Sequence, residues 1–188
     1  MRACARRSQP SQATCIHYLG SGEAIHPVVY VNLGSSGVRG GLARVLEALR
    51  SLPVNVIAAT AGRRETLPVS DNSRAECLPG DACAKVASLV ICNGGSPATY
   101  RALVEGKPVI GLAANIDQFL NMAAVQDASC GRLLRACSCS EIDIRSAVVD
   151  VLSNPCFGEG ALRIKRAIAD NDTFARFRHA LRDLTGDG

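Results

Sequence analysis

Two short segments rich in glycine and serine have the composition of loops that bind phosphate. Gly34-Ser35-Ser36-Gly37 follows one apolar run of the sequence, and Asn93-Gly94-Gly95-Ser96 follows another. Glycine lets the backbone approach a ligand closely, and the free amides at the start of a helix attract an anion. Neither segment has the glycine spacing of a dinucleotide-binding fingerprint or the lysine of a P-loop. Each alone is also consistent with a plain turn between a strand and a helix.

The second segment continues into residues that suit the first turn of a helix. Pro97 fits there, because the amide hydrogen that proline lacks has no partner in a first turn. The amides from Gly95 to Thr99 are then expected to point at a bound anion. Two such loops on one edge of a sheet suggest a single ligand whose diphosphate lies between them.

Asp117 and Gln118 place a carboxylate beside an amide, shortly after a further apolar run. Together they suit paired hydrogen bonds to vicinal hydroxyls, as in a sugar. The alternative is that Asp117 is the N-cap of a helix, and the two roles are compatible. No Ser-His-Asp or Cys-His order is evident, because the histidines lie outside the predicted edge of the sheet (His17, His26 and His179). The sequence therefore predicts a binding site but no catalytic residue.

Alternating strands and helices must position these residues. Apolar runs predict strands at residues 28–33, 54–58, 89–92, 109–112 and 131–134, with a short strand near Glu76-Cys77-Leu78. Helices are predicted at 41–51, from an Asp81 cap to 86, after Ser96, at 118–127, from a Ser140 N-cap to 152 with Asp143 as its capping-box partner, and at 158–184 with a break near 170–172. The alternation favours a single α/β domain, a Rossmann-like doubly wound parallel sheet of about six strands. We assign it to residues 28–188, after an irregular tail or linker over residues 1–27.

Composition narrows the class of partner. The formal net charge is +4, but the basic residues near the C-terminus are interleaved with acidic ones. Aromatic residues make up only 4% of the chain, so the stacking side chains of single-strand nucleic-acid binders are missing. We expect no nucleic-acid partner, while a weak preference for an anionic ligand or membrane surface stays open.

The nine cysteines do not form a recognisable metal or disulfide framework. Their number is odd, and only Cys137 and Cys139 stand close together in the sequence. Cys92 lies inside an apolar run and is expected to behave as a small core residue. Free thiols, the lack of a signal peptide and the lack of a long apolar segment favour a cytoplasmic protein without a metal.

Five motifs in order resemble the C-terminal, donor-binding domain of GT-B nucleotide-sugar glycosyltransferases, the bacterial UDP-glycosyltransferases in particular. They are Gly34-Ser35, Leu78-Pro79, Asn93-Gly94-Gly95 to Thr99, Gly106-Lys107-Pro108 and Asp117-Gln118. The resemblance covers about 150 residues, and its strength lies in the order of motifs that are individually weak.

The resemblance implies roles for individual residues. The diphosphate of the donor is expected at Gly34, Ser35, Asn93, Gly95, Ser96, Ala98 and Thr99. Cys77 and Leu78 are expected to flank the base, mainly through backbone contacts, and Asp117 and Gln118 to hold the sugar hydroxyls. The implied donor is a nucleotide sugar, a UDP-sugar by preference, used without a cofactor or metal. The implied reaction is hexosyl transfer to an acceptor hydroxyl with inversion at the anomeric carbon.

The chain departs from the pattern of that family at two residues and in its extent. Asn93 stands where the family has a histidine that contacts the phosphates, and Arg101 stands where it has a glutamate that holds the ribose. The family's N-terminal domain, which supplies the acceptor pocket and the base, has no counterpart in residues 1–27. We therefore expect a separate acceptor-binding domain or subunit. The alternatives are a non-catalytic nucleotide-sugar-binding remnant or module and, less favoured, an epimerase-like enzyme of similar architecture.

Overall fold

The computed structural model describes residues 26–34, 37–60, 67–68, 70, 73–76, 80–171 and 173–185. The predicted tail therefore lies outside the described residues, apart from His26 and Pro27. The described residues contain no helix that is both long and apolar enough to cross a lipid bilayer.

Six parallel strands form one sheet. Their bounds are β1 Val28–Asn32, β2 Asn55–Ala59, β3 Ser73–Glu76, β4 Leu89–Cys92, β5 Val109–Ala113 and β6 Gly131–Arg135. Across the sheet they run in the order β3-β2-β1-β4-β5-β6, and every neighbouring pair is parallel. The predicted α/β class with a Rossmann-like, doubly wound parallel sheet is confirmed.

Helices follow the strands along the chain. Their bounds are α1 Gly41–Leu49, α2 Gly80–Val86, α3 Ser96–Val104, α4 Ile116–Asp127, α5 Glu141–Ser153, α6 Pro155–Ala169 and α7 Thr173–Thr185. The predicted interruption of the C-terminal helix is confirmed, because α6 ends at Ala169 and α7 begins at Thr173.

The core has two halves, one on each face of the sheet. Alternate residues of a strand point to opposite faces, so Val29 and Val31 pack in one half and Val28 and Tyr30 in the other. The first half is closed by apolar side chains of α1 and α5, and the second by side chains of α2, α3 and α4. Because both faces are covered, the central strands read as continuous apolar runs rather than as alternating ones.

Several predicted boundaries are corrected by the structure. The short strand predicted near Glu76-Cys77-Leu78 is β3, which pairs with β2 from Ser73 to Glu76. Its sequence Ser-Arg-Ala-Glu belongs to an edge strand and gives no apolar signal. Helix α2 begins at Gly80, so Asp81 lies inside its first turn and does not cap it.

One further helix start and one helix end also differ from their predicted positions. Helix α6 starts directly at Pro155, because Asn154 serves as its N-cap and accepts a hydrogen bond from the amide of Cys156 at 3.1 Å. Helix α1 ends at Leu49 and not at Ser51, with Arg50 as its C-cap.

The strand order creates a crevice for a ligand at the carboxyl ends of the strands. The chain moves outward from β1 to β2 and β3, then returns to β4 on the other side of β1. The loops that follow β1 and β4 therefore leave the sheet in opposite directions and open a crevice between them. Both glycine-rich segments lie in these two loops.

Candidate functional site

The loops after β1 and β4 lie against each other at this crevice. Gly34 has a φ of +60°, a conformation that favours glycine, and its amide donates to Asn32 Oδ1 at 3.0 Å. A Cβ atom built on Gly34 would lie 3.4 Å from Asn93 Nδ2. The structure thus brings together two predicted loops that are 59 positions apart, as the numbers 34 and 93 show.

Asn93 lies between the two loops and supports the second. Its side chain is nearly buried, with 8% of its surface exposed. Asn93 Oδ1 accepts a hydrogen bond from the amide of Gly95 at 3.1 Å, an Asx-type turn that leads the chain into α3. The neutral amide of Asn93 therefore has a structural partner within the protein, at the position where the resemblance implies a histidine.

Two backbone amides at the start of helix α3 take no part in the hydrogen bonds of the helix. Its N-cap residue, Gly95, has an extended backbone and makes no side-chain cap. The amide of Thr99 donates to Gly95 O at 3.2 Å, and Pro97 has no amide hydrogen. The amides of Ser96 and Ala98 have no hydrogen-bond partner among the described residues. Of the amides from Gly95 to Thr99 that we predicted to face an anion, these two are available.

The loop is anchored from below by Cys92 and Thr99. Cys92 is fully buried, its Sγ accepts from the amide of Gly94 at 3.2 Å, and it lies 3.7 Å from Thr99 Oγ1. Burial raises the pKa of the Cys92 thiol, so it is held neutral. Thr99 is buried as well. Its hydroxyl accepts a hydrogen bond from Asn121 and its amide donates to Gly95 O, so both groups are engaged within the protein.

Gly94 is the tightest point of the loop. It has a φ of +80°, and a Cβ atom there would lie 2.7 Å from Met122 Cγ of α4. A Cβ on Gly111 of β5 would collide with the same methionine side chain. Met122 is fully buried, so the two glycines make room for α4 to pack directly under the loop.

Asp117 and Gln118 begin α4 at the same edge of the sheet. The N-cap of α4 is Asn115, whose Oδ1 accepts from the amide of Gln118 at 3.0 Å. Asp117 is therefore not the N-cap, which corrects the alternative prediction. Its carboxylate is exposed in the first turn and makes no hydrogen bond or ion pair with the described residues.

Gln118 combines a structural contact through its side-chain oxygen with a side-chain nitrogen that has no partner among the described residues. The side chain is 2% exposed, and its Oε1 accepts from the amide of Ala114 at 2.8 Å. Its Nε2 has no hydrogen-bond partner among the described residues, and no side-chain nitrogen or oxygen that is fully buried there lacks a partner. Nε2 is therefore not fully enclosed, and it belongs to the residue that directly follows Asp117 at this edge of the sheet.

Other predicted site residues lie elsewhere or outside the described residues. Ser35, Cys77 and Leu78 are among the residues that the structure does not describe. Arg101, on the outer side of α3, forms an ion pair with Asp81 of α2. Within the described ranges, no cluster of three histidine, cysteine or acidic side chains could hold a metal ion.

Asn121 is a site residue that the sequence analysis missed. Its Nδ2 donates to Gly94 O at 2.7 Å and to Thr99 Oγ1 at 3.1 Å, across from α4 to the loop after β4. The signal was present in the sequence, since Asn121 stands three and four residues after Gln118 and Asp117 and so shares a helix face with them.

A comparison with protein families places most of the chain in one of them. Residues 43–182 match the model described as erythromycin biosynthesis protein CIII-like, C-terminal domain. The match runs from the first turns of α1 into α7.

Two of the curated relatives come from mycobacteria. The chain is 47% identical over 152 residues to a PGL/p-HBAD biosynthesis glycosyltransferase of Mycobacterium tuberculosis, which is 80% of this chain and 35% of that protein. It is 48% identical over 142 residues to a PGL/p-HBAD biosynthesis rhamnosyltransferase of Mycobacterium bovis, which is 75% of this chain and 32% of the relative. The chain therefore spans about a third of the length of the curated relatives it matches.

Solved structures share the fold. The spinosyn rhamnosyltransferase SpnG complexed with thymidine diphosphate superposes with a TM-score of 0.77 at 24% identity, over 87% of this chain and 47% of that one. The spinosyn forosaminyltransferase SpnP gives a TM-score of 0.76 at 23% identity, over 86% of this chain and 44% of that one. At these identities the likeness establishes the fold alone, and it covers about half of each of those two chains.

Proposed function

Because the chain belongs to the family of erythromycin biosynthesis protein CIII-like C-terminal domains, the donor-binding halves of GT-B glycosyltransferases, we propose that it binds a nucleotide-diphosphate sugar and presents it for transfer. The sugar goes to an acceptor hydroxyl held by a separate acceptor-binding domain or subunit. The name of one mycobacterial relative, a glycosyltransferase, supports sugar transfer, and that of the other, a rhamnosyltransferase, supports a deoxyhexosyl group.

One observation carries this proposal. The amides of Ser96 and Ala98 at the start of α3 have no hydrogen-bond partner in the part of the chain that the structure describes, and they stand next to the point where the Gly34 and Asn93 loops meet. A helix N-terminus carries a partial positive charge, and two free amide hydrogens there match phosphate oxygens. The crevice at the strand-order reversal is where ligands bind in open parallel sheets.

The proposed reaction is a direct displacement with inversion. The acceptor oxygen forms a bond to the anomeric carbon while the bond from that carbon to the diphosphate oxygen breaks. The acceptor proton goes to a base of the acceptor-binding half, and the nucleoside diphosphate leaves with the bonding electrons. The Ser96 and Ala98 amides stabilise the charge that develops on the departing diphosphate.

The remaining site residues have proposed roles around this step. Asp117 and the Nε2 group of Gln118 hold the sugar hydroxyls. Cys77 and Leu78 flank the base, and Ser35 contacts the diphosphate from the β1 side. No cofactor or metal takes part. Six of the described cysteines are free thiols, which supports the cytoplasmic location expected from the sequence.

A charge placed at the start of α3 tests the proposal. Ser96 is exposed, so Ser96→Glu adds a negative charge where we place the diphosphate. An acidic residue in a first turn favours the helix, so the melting temperature is expected to stay the same or rise. Affinity for UDP or TDP, measured by calorimetry, is expected to fall by about ten-fold or more, which corresponds to about 1.4 kcal/mol.

Ser138→Glu is the matched control, since it adds the same charge to an exposed serine near the start of α5. It is expected to leave the affinity unchanged. Equal affinity in Ser96→Glu and the unmodified chain would disprove the assigned diphosphate site. Absence of binding of both UDP and TDP to the unmodified chain would disprove the donor-binding function itself.

A non-catalytic nucleotide-sugar-binding module is the second candidate. It is favoured by Asn93, whose amide cannot carry the positive charge of a histidine and whose oxygen is engaged with Gly95. The two candidates separate in a chimera that joins this chain to the preceding residues of the M. tuberculosis relative. Sugar transfer by the chimera supports the enzyme, whereas donor binding without transfer supports the module.

A further inference from the structure

Asn121 donates both amide hydrogens of its side chain to the segment that runs from the loop after β4 into the first turn of α3. Its Nδ2 donates to Gly94 O at 2.7 Å and to Thr99 Oγ1 at 3.1 Å. A side-chain amide nitrogen has two hydrogens, so this donor group is fully used. The two acceptors stand on either side of Ser96 and Ala98, so a single side chain closes the segment that carries the free amides.

The same residue belongs to the helix that carries the sugar-binding groups. Asp117 lies one turn earlier on α4, and Gln118 three residues earlier. Directly after Asn121, Met122 fills the space over Gly94 and Gly111, where a side chain on either glycine would collide with it. Helix α4 is thus fixed to the loop by hydrogen bonds at Asn121 and by packing at Met122.

Further contacts link Asn121, through Thr99, to the buried side of the loop after β4. Thr99 Oγ1, which accepts from Asn121, also lies 3.7 Å from Cys92 Sγ, and that sulfur accepts from the Gly94 amide at 3.2 Å. Networks of this kind, when satisfied and buried, favour one arrangement of the chain over others. Cys92, Gly94 and Thr99, which are buried, and Asn121, which is half-buried, form such a network.

We propose that Asn121 is a positioning residue that fixes the diphosphate-binding amides of α3 relative to the sugar-binding groups of α4. The inference rests on the proposed function and adds to it a residue that touches neither the diphosphate nor the sugar. Asn121 sets the distance between the amides that bind the diphosphate and the side chains that bind the sugar. The bond between sugar and diphosphate must lie between these two sets of groups.

Asn121→Leu tests the proposal, because leucine has a similar size but no hydrogen to donate. The matched control is Gln126→Leu, which removes another side-chain amide of α4, the one whose Oε1 accepts from the amide of Leu133 at 3.2 Å. Affinity for UDP and for TDP is measured by calorimetry on the full chain. We expect about ten-fold weaker binding for Asn121→Leu, equal to about 1.4 kcal/mol, and no change for Gln126→Leu.

An amide spectrum separates positioning from a general structural role. In the unmodified chain, UDP or TDP is expected to shift the amide signals of Ser96 and Ala98 and also those of Asp117 and Gln118 on α4. In Asn121→Leu saturated with nucleotide, we expect the amide signals of Ser96 and Ala98 still to shift. The signals of Asp117 and Gln118 are expected to stay where they are. Persistence of the α4 shifts in a folded Asn121→Leu variant would overturn the proposal.

Thr99→Val provides a second variant that keeps the volume of the side chain and removes the hydroxyl that accepts from Asn121 and contacts Cys92 Sγ. If Asn121 acts through this contact, the double variant binds no more weakly than Asn121→Leu alone. Additive losses would overturn the proposal, as would unchanged affinity in both single variants. Failure of the unmodified chain to bind either nucleotide would overturn the proposed function and this inference together.

Discussion

At the scale of single residues, the site depends on amides rather than on charged side chains. Asn93 and Asn121 hold the loop after β4 through neutral hydrogen bonds, and the free groups of α3 are backbone amides. Asp117 is the exception, an exposed carboxylate without a partner among the described residues. An exposed carboxylate keeps its full hydration until a ligand replaces the water, so it contributes more to binding than to folding.

The Asp117 carboxylate should therefore discriminate between a nucleotide sugar and the nucleotide alone. Asp117→Asn removes a charged acceptor, and a hydrogen bond to a charged group is worth about 2 kcal/mol. Calorimetry is expected to show about 30-fold weaker binding of the donor sugar nucleotide and unchanged binding of UDP or TDP. Suitable donor probes are UDP-glucose and TDP-rhamnose.

Asp127→Asn is the control for this measurement, because Asp127 is an exposed acid at the other end of the same helix. It should leave both affinities as they are. A parallel loss of nucleotide affinity in Asp117→Asn would show that Asp117 does not act on the sugar.

At the scale of elements, helix α5 shows how a local signal alone can determine a helix start. The predicted capping box is present: Asp143 Oδ2 accepts from the amide of Ser140 at 2.7 Å and from its hydroxyl at 2.8 Å, while Ser140 Oγ accepts from the amide of Asp143 at 3.2 Å. All atoms of the motif lie within four consecutive residues, so the sequence could predict it without knowledge of the fold.

The capping box predicts a pH dependence of stability. The backbone hydrogen bond from Ser140, and then the bond from its side chain, lower the pKa of Asp143. The stabilisation is therefore present above the pKa of the unfolded chain and is lost as the pH falls through the lower pKa of the folded state. Thermal melts followed by circular dichroism should show Asp143→Asn to be less stable at neutral pH, with a difference that shrinks in acid.

Glu141→Gln is the control for the melts, since it removes another acid from the first turn of α5 without touching the box. At neutral pH, Glu141→Gln should lower the melting temperature by less than Asp143→Asn does. A constant difference between Asp143→Asn and the unmodified chain at every pH would contradict the assignment of this dependence to Asp143.

At the scale of the whole molecule, α7 has an apolar surface that suggests contact with further protein. Phe177, Leu181 and Leu184 are 60%, 43% and 84% exposed, and their spacing of four and three residues places them on one face. The chain spans about a third of its mycobacterial relatives, so most of a whole protein of that kind lies outside it. Under the proposed function, we expect this face to contact the acceptor-binding half.

Polar substitutions on α7 test that assignment in the chimera with the M. tuberculosis relative. Phe177→Ser combined with Leu184→Ser removes two side chains whose burial is each worth about 1.5–3 kcal/mol. Sugar transfer by the chimera should fall, while nucleotide binding by the chain alone stays the same. Arg178→Ser, at an exposed residue of the same helix, should change neither. Full transfer by the doubly substituted chimera would exclude this face from the contact.

The sequence by itself determined the features that depend on neighbouring residues. The apolar runs predict the buried strands, Ser140 with Asp143 predicts the start of α5, and Gly95-Ser96-Pro97 predicts the start of α3. The polar edge strand β3 was misplaced because its position depends on pairing with β2 and not on its own residues.

The tertiary structure alone decided which groups of the site remain available to a ligand. Asn115, and not Asp117, is the N-cap of α4, and the amides of Gly95 and Thr99 are engaged within the protein. The contact of Gly34 with Asn93 and the hold of Asn121 on the loop join residues that are distant in the chain. Such contacts follow from the packing of strands and helices in space, and no local pattern of residue types encodes them.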